Sequence, residues 1–363
     1  MRRAWGAALV VAAAAAVGQA PQGTEAGGSA LSAGRTRPPT PGAAGRLHAR
    51  DLGLVINTND PYSVAVGAHY IAARGLAPHQ VLRLELPLVP VLDRDAFAQL
   101  QARIAEHFDD STQALALAWQ QPYAVACNSI TGALTLGFDA ALCSDSCAPS
   151  RRSPYFDSPS LRPFTDLHLR PTMLLAAPDA QAARALIDRG VRADHTLGLR
   201  GAPPVHAFYL RTSDPARNVR VKSYPAPGFV PQIGVNVHVS TADALHSAEP
   251  VLLYMTGLPR VAGLDRVNWV PGALADHLTS FGGRLSGDSG QMSVLDWIGS
   301  GATASYGTVS EPCAHPQKFP HPRIVLRHYV QGSTAIEAYW KSVRWPQQGL
   351  FVGEPLAAPF ARD

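Results

Sequence analysis

From residue 51 onward, apolar runs of strand length alternate with capped, amphipathic stretches of helix length, and this alternation constrains the fold more than any other feature. Leu52 to Asn57 (LGLVIN) is an apolar run suited to a buried strand. Asp60-Pro61 then supplies an N-cap and a proline at the first helical position. Val64, Ala68 and Ile71 share one face of the predicted helix, Gly75 can end it, and Val81 to Leu86 alternates like a returning strand. Asp93 caps a second predicted helix with Phe97, Leu100, Ile104 and Phe108 as its apolar stripe. Ala114 to Trp119, Tyr123 to Cys127 and Thr172 to Ala176 read as strands, followed by a helix from about Asp179 with Leu186 and Ile187 inward and Gly190 at its end.

The second half continues the alternation without a sequence repeat. Val205 to Leu210, Gly234 to Val239, Val251 to Met255 and Ala302 to Gly307 read as strands, and Ser293-x-x-Asp296 and Thr334-x-x-Glu337 as capping boxes that start helices. The pattern predicts an α/β protein with a mainly parallel sheet covered by helices on both faces.

Charge and composition narrow the function. The 363 residues carry a net +4, but residues 1–50 hold six arginines and one acid, a local +5, which leaves −1 on residues 51–363. Only Lys222, Lys318 and Lys341 are lysines, so a nucleic-acid partner is not expected. Met1-Arg2-Arg3, the apolar run that follows and the small residues around Gly18 and Ala20 read as an export signal over 1–20. Residues 21–50, rich in Ala, Gly, Pro and Arg, read as a disordered linker. The body is then 51–363, with halves at 51–200 and 201–363, and no later segment is apolar enough to span a membrane.

Export permits disulfides. Cys127, Cys143, Cys147 and Cys313 allow three pairings; Cys143 and Cys147 flank a polar Ser-Asp-Ser loop that suits a local bridge, with Cys127 and Cys313 either joined at long range or free. Cys313, His315 and His321 lack a second ligand pair and are crowded by prolines, so neither a metal nor any other cofactor is expected.

Several stretches carry a resemblance. VINTNDPYSVAVGAHYIAARGL (55–76), CNSITGALTLGFD (127–139), PTMLLAAPDAQAARALIDRGVRAD (171–194) and the segments 275–320 and 339–360 resemble an uncharacterised family of exported bacterial proteins, which implies kinship without an activity. The order VLLYMTG (251–257), ALADHLTSFGG (273–283), GATASYGTVSEP (301–312) is similar to caspase-like proteins of the gingipain and clostripain type. That resemblance implies a Cys-His dyad, but Thr256 stands at the histidine position and Thr279 or Ser280 at the thiol position.

The candidate chemistry lies in two segments. His277 near Ser280 offers a base beside a hydroxyl, although strand alternation puts Asp276 on the opposite face from His277. Glu311, Cys313, His315 and Lys318 (EPCAHPQK) follow a predicted strand, where α/β sheets place ligands, with Cys313 a nucleophile if unpaired. Asn57 and Asp60 end the first strand and are expected to face the same crevice or to serve the turn and cap. Gly287-Asp288-Ser289-Gly290 reads as a Gly-rich turn, and Trp340, Trp345 and Phe351 as core packing. The expectation is an exported, peptidase-like hydrolase with its pocket between 275–290 and 309–320. Its competitor is a non-catalytic binding protein on a degenerate hydrolase scaffold, and in either case the ligand is a small molecule, a peptide or a glycan.

Overall fold

A computed structural model describes residues 46–362. The expected export signal and residues 21–45 of the expected linker lie outside the described residues. Residues 46–50 are not linker-like, since Leu47 is buried and its N–H donates to Glu337 Oε2 at 3.1 Å.

The first half of the chain runs β1 (Leu52–Asn57), α1 (Pro61–Arg74), β2 (Val81–Leu84), β3 (Val91–Leu92), α2 (Arg94–His107), β4 (Ala114–Leu117), β5 (Ala124–Val125), β6 (Asn128–Ser129), α3 (Ile130–Leu136), α4 (Ala141–Ser144), α5 (Pro163–Leu167), β7 (Thr172–Leu174) and α6 (Ala180–Ala193). The second runs β8 (Val205–Arg211), β9 (Gly228–Val230), β10 (Val235–Thr241), β11 (Val251–Thr256), β12 (Trp269–His277), α7 (Val294–Ser300), β13 (Ala304–Thr308), α8 (Pro322–Val330), α9 (Ala335–Ser342) and β14 (Gly349–Gly353). Eleven strands form one sheet in the order β2-β1-β4-β7-β14-β13-β12-β11-β8-β10-β9, and β3, β5 and β6 form a small separate sheet. Within the large sheet, neighbours are parallel except at β13–β14 and β10–β9.

Read in chain order, β2-β1-β4-β7-β14 and β10-β8-β11-β12-β13 each have the 2-1-3-4-5 order of a doubly wound sheet. The expected division at residue 200 falls between α6 and β8, but β14, the fifth strand of the first half, comes from the far end of the chain. Because β13 and β14 are antiparallel, the two halves point in opposite directions. The carboxyl ends of β1, β4 and β7 therefore lie along one edge of the sheet, and those of β8, β11, β12 and β13 along the other.

Helices cover both faces, as the alternation predicts. Ile56 of β1 meets Gly67 of α1, and Gly53 meets Phe108 at the end of α2. Residues 53 and 56 of one strand point to opposite faces. The caps follow the sequence: Asp60, Asp93 and Asp179 accept N–H bonds from Tyr62, Ala96 and Ala182, and both capping boxes form.

Two helix details differ from expectation. Helix α1 buries Ser63, Val66, Gly67 and Tyr70, and Val64 is exposed. The reason is close packing, since a Cβ on Gly67 would stand 2.4 Å from Ile56 Cδ1 and only glycine lets the helix settle onto β1. Gly190 lies inside α6 and does not end it; a Cβ there would stand 2.6 Å from Glu354 Cγ. Glu354, wholly buried after β14, accepts both Nε and Nη2 of Arg74 (3.0 and 2.7 Å) and the Tyr70 hydroxyl (2.9 Å). Arg74 Nη1 also reaches Asp194 at 2.6 Å, so α1, α6 and the end of β14 share one ionic knot.

Candidate functional site

At the carboxyl ends of β12 and β13, residues 279–283 lie directly on the β13 backbone. Gly283 N–H donates to Thr308 O (2.9 Å), and Thr308 Oγ1 donates to Ser280 O (2.8 Å). A Cβ on Gly307 would stand 2.5 Å from the Gly282 carbonyl carbon, so glycines permit this approach. The segment then turns through Gly287 and Gly290, both in the left-handed region at φ 76° and 70°, into the Ser293 cap of α7.

His277 is buried in this corner with both ring nitrogens occupied. Trp297 Nε1–H donates to Nδ1 at 2.8 Å, so the ring proton sits on Nε2, which donates to Met292 O at 3.1 Å. The imidazole thus has neither a free lone pair nor a free proton for substrate, and neither ring nitrogen bonds the half-buried Ser280 hydroxyl. Asp276 points to the other face, as alternation predicts, and pairs with buried Arg220 at 2.6 Å. Of the positions picked out by the caspase-like resemblance, Thr256 is buried with its hydroxyl unpartnered. Thr279 Oγ1 donates to Gln291 Oε1 at 2.6 Å and accepts from Arg217 Nε at 3.3 Å.

Burial pushes the His277 pKa down to about 3, and burial with Lys341 and Arg327 does the same to His328. Between about pH 3 and the ordinary histidine value near 6.5 the unfolded chain binds protons that the folded chain excludes. Stability from these groups is therefore complete above about pH 6.5 and declines as pH falls toward about 3. His277→Gln retains a donor and an acceptor, and it is expected to flatten this acid limb in urea titrations run across the pH range. An acid limb identical to that of the parent would overturn this assignment.

The cysteines correct the sequence reading. Cys127 pairs with Cys143 and Cys147 with Cys313, so the expected local Cys143–Cys147 bridge is absent and Cys313 has no thiol to act as a nucleophile. The cause is the docking of the 140–147 loop on the 309–318 loop. Lys318 Nζ donates to Ser146 O at 2.6 Å, and Gln348 Nε2 donates to Ser146 O, Ser310 Oγ and Glu311 O. The other residues of EPCAHPQK are also committed to holding the loop. The Glu311 carboxylate accepts the Cys313 N–H (2.8 Å) in a turn where Cys313 and Ala314 both have positive φ. Lys318 is buried, which pushes its pKa down to about 8, and the His315 ring meets Trp345 edge-on.

Asn57 and Asp60 do not share this crevice. They lie at the carboxyl end of β1, on the opposite edge and five strands from β12, about 24 Å at normal strand spacing. Asn57 instead clamps the turn, donating to Leu86 O and accepting from Leu86 N–H and Asn59 N–H. Trp340 and Phe351 stack at 4.3 Å in the core, as expected.

The two expected segments do border a cleft of about 560 Å³, which Arg284 and residues 286–289 and 309–310 line together with Val91 and residues 123, 124, 126 and 127 of the first half. Its one cation is Arg284, which the sequence reading missed. The Arg284 guanidinium lies over the Phe281 ring at 4.0 Å, and its Nε donates to Val309 O at 3.0 Å. Asp288, on the same rim, pairs at 3.7 Å with Arg260, and among the described residues no carboxylate pairs with Arg284. The aromatic residue three positions before the arginine was the available signal. Among the described residues, no three His, Cys, Asp or Glu are placed to hold a metal ion. Comparison of the chain with protein families, with curated proteins and with solved structures finds no match.

Proposed function

We propose that this is an exported binding protein whose site is the cleft at the ends of β12 and β13, and whose ligand is a peptide or glycan carrying a carboxylate. The observation that carries this reading is Arg284, held over the Phe281 ring at 4.0 Å with its two terminal nitrogens uncommitted at the rim of the cleft. A guanidinium so held has already lost much of its rotamer freedom, which favours bidentate capture of a carboxylate. Export is supported by the arginine-led apolar leader and by two disulfides, which persist in oxidising compartments. Of the three catalytic candidates of the hydrolase expected from sequence, two are committed elsewhere, His277 being bonded at both nitrogens and Cys313 in a disulfide, which leaves Ser280.

The test titrates the purified mature chain with acidic and neutralised peptides and with uronate-containing and neutral glycans. Arg284→Ala is expected to weaken binding of the acidic ligand by about 10- to 100-fold, the size of a charged hydrogen-bond pair, with Arg284→Lys in between. The unfolding midpoint should be unchanged. Acidic-ligand affinity that is indifferent to both substitutions sinks the assignment. Turnover of peptide, ester or glycoside substrates that disappears in His277→Ala would restore the hydrolase.

A further inference from the structure

The wall of the Arg284 cleft that comes from the first half of the chain is apolar and open to solvent. Val91 lines the cleft at 46% exposure, and Leu88 and Val89 just before it are 54% and 36% exposed. Three of the seven large apolar side chains exposed among the described residues thus fall within four positions, where the cleft begins. The segment is fixed in place, because Pro90 O accepts the N–H groups of Tyr123 and Ala124 at 3.0 and 3.3 Å. Ala126, exposed in the turn between β5 and β6, lines the cleft with Val91. Exposed apolar surface gathered beside a polar rim marks an interaction site.

The facing wall is a backbone with donors to spare. Residues 286–289 line the cleft, and among the described residues no protein acceptor takes the N–H groups of residues 285–289. Gly287, at φ 76°, turns this backbone through the left-handed region. Asp288 is held by Arg260 at 3.7 Å and by the Gly290 N–H at 2.7 Å. These features favour a peptide over a glycan. Among the described lining residues Tyr123 is the one aromatic, and at 5% exposure it offers no ring face on which a sugar could stack. Sugar hydroxyls laid on Val91 would lose water without gaining a partner.

Resting on Arg284 as the carboxylate anchor, we infer that the ligand is the carboxyl terminus of an extended peptide whose last residue is apolar. Its α-carboxylate pairs with the two terminal nitrogens of Arg284, its last side chain covers Val91 and Ala126, and the preceding carbonyls accept from the 285–289 backbone. Leu88 and Val89 continue the apolar surface beyond the cleft. The volume of about 560 Å³ falls in the range of small-ligand sites, which suits the end of a chain and not a folded partner.

The probe is an acetylated hexapeptide ending in Ala-Val-Leu with a free carboxylate. Its comparators are the same peptide as the carboxyl-terminal amide, the free acid ending in Gly-Gly-Gly, a uronate disaccharide and octanoate. Calorimetry on the full mature chain is expected to rank the Leu-ending acid tightest. The amide should lose about 10- to 100-fold and the Gly-ending acid about five- to tenfold, with octanoate and the uronate weaker by tenfold or more. Val91→Ser, and Val91→Thr, which keeps the branched shape, should each weaken the Leu-ending acid by about fivefold while leaving the Gly-ending acid and the unfolding midpoint unchanged. Arg284→Ala should weaken both acids alike and erase the preference for acid over amide. A uronate bound as tightly as the peptide, and lost in Arg284→Ala, would leave the carboxylate site standing and overturn the peptide assignment. Equal affinity for the Leu- and Gly-ending acids, or octanoate binding as tight as the peptide, would do the same. Acid and amide bound alike by the parent chain would remove the Arg284 reading and this inference with it.

Discussion

Glu354→Ala is expected to be among the most damaging single substitutions in this chain, lowering the free energy of unfolding by about 3–5 kcal/mol. It removes a fully buried carboxylate that accepts Nε and Nη2 of Arg74, whose side chain is 8% exposed, and it strips Tyr70 of its acceptor. Breaking one side of a buried ion pair leaves an uncompensated charge, which costs far more than the intact pair contributes. The expected signature is a lower urea midpoint at unchanged slope, with α1, α6 and the end of β14 loosening together in hydrogen exchange. Arg74→Met combined with Glu354→Leu should recover part of the loss, because the only charge then left without its partner is Asp194, which is 18% exposed and keeps the Ala358 N–H. A loss below about 1 kcal/mol in the single variant would show that Asp194 alone satisfies Arg74.

Removing the Cys147–Cys313 bridge is the second large effect. It joins residues 166 apart, a loop for which chain-entropy reasoning gives about 5 kcal/mol of stabilisation, against about 3 for the 16-residue Cys127–Cys143 loop. Cys147→Ser with Cys313→Ser should therefore lose more than Cys127→Ser with Cys143→Ser, measured by denaturation with the other bridge intact. The long bridge should also take the Lys318–Ser146 contact with it and expose the 311–318 loop to protease. Thiol titration of the parent chain should find no thiol before reduction and four after it. A free thiol in the native chain, or equal losses for the two pairs, would contradict this.

Sequence legibility followed distance along the chain. The caps at Asp60, Asp93, Asp179, Ser293 and Thr334 were readable because each is settled within four residues, and the strand and helix alternation gave the α/β class. What could not be read depends on partners far away. The buried face of α1 is chosen by Gly67 against Ile56, the role of Gly190 by Glu354, and the cysteine pairing by a loop docked more than 160 residues away. Strand β14 carries no local mark of its central place or its antiparallel register with β13. At the candidate site the sequence located the two segments that border the cleft but misjudged the side chains in them. His277, Cys313 and Lys318 look chemically available in one dimension and are spent on Trp297, Cys147 and Ser146 in three.

The position of β14 also sets a timetable. A chain synthesised or threaded across a membrane from its amino terminus presents β1, β2, β4 and β7 long before residue 349, so the first half-sheet waits with the flank of β7 open while some 170 further residues emerge. That half cannot close as an independent unit ahead of the rest, unlike an ordinary amino-terminal domain that folds as it appears. Completion is postponed until residues 349–354 are available, when one short strand seats between β7 and β13 and Glu354 reaches Arg74. A chain cut just before Gly349 would then abort the first half of the molecule as surely as the second.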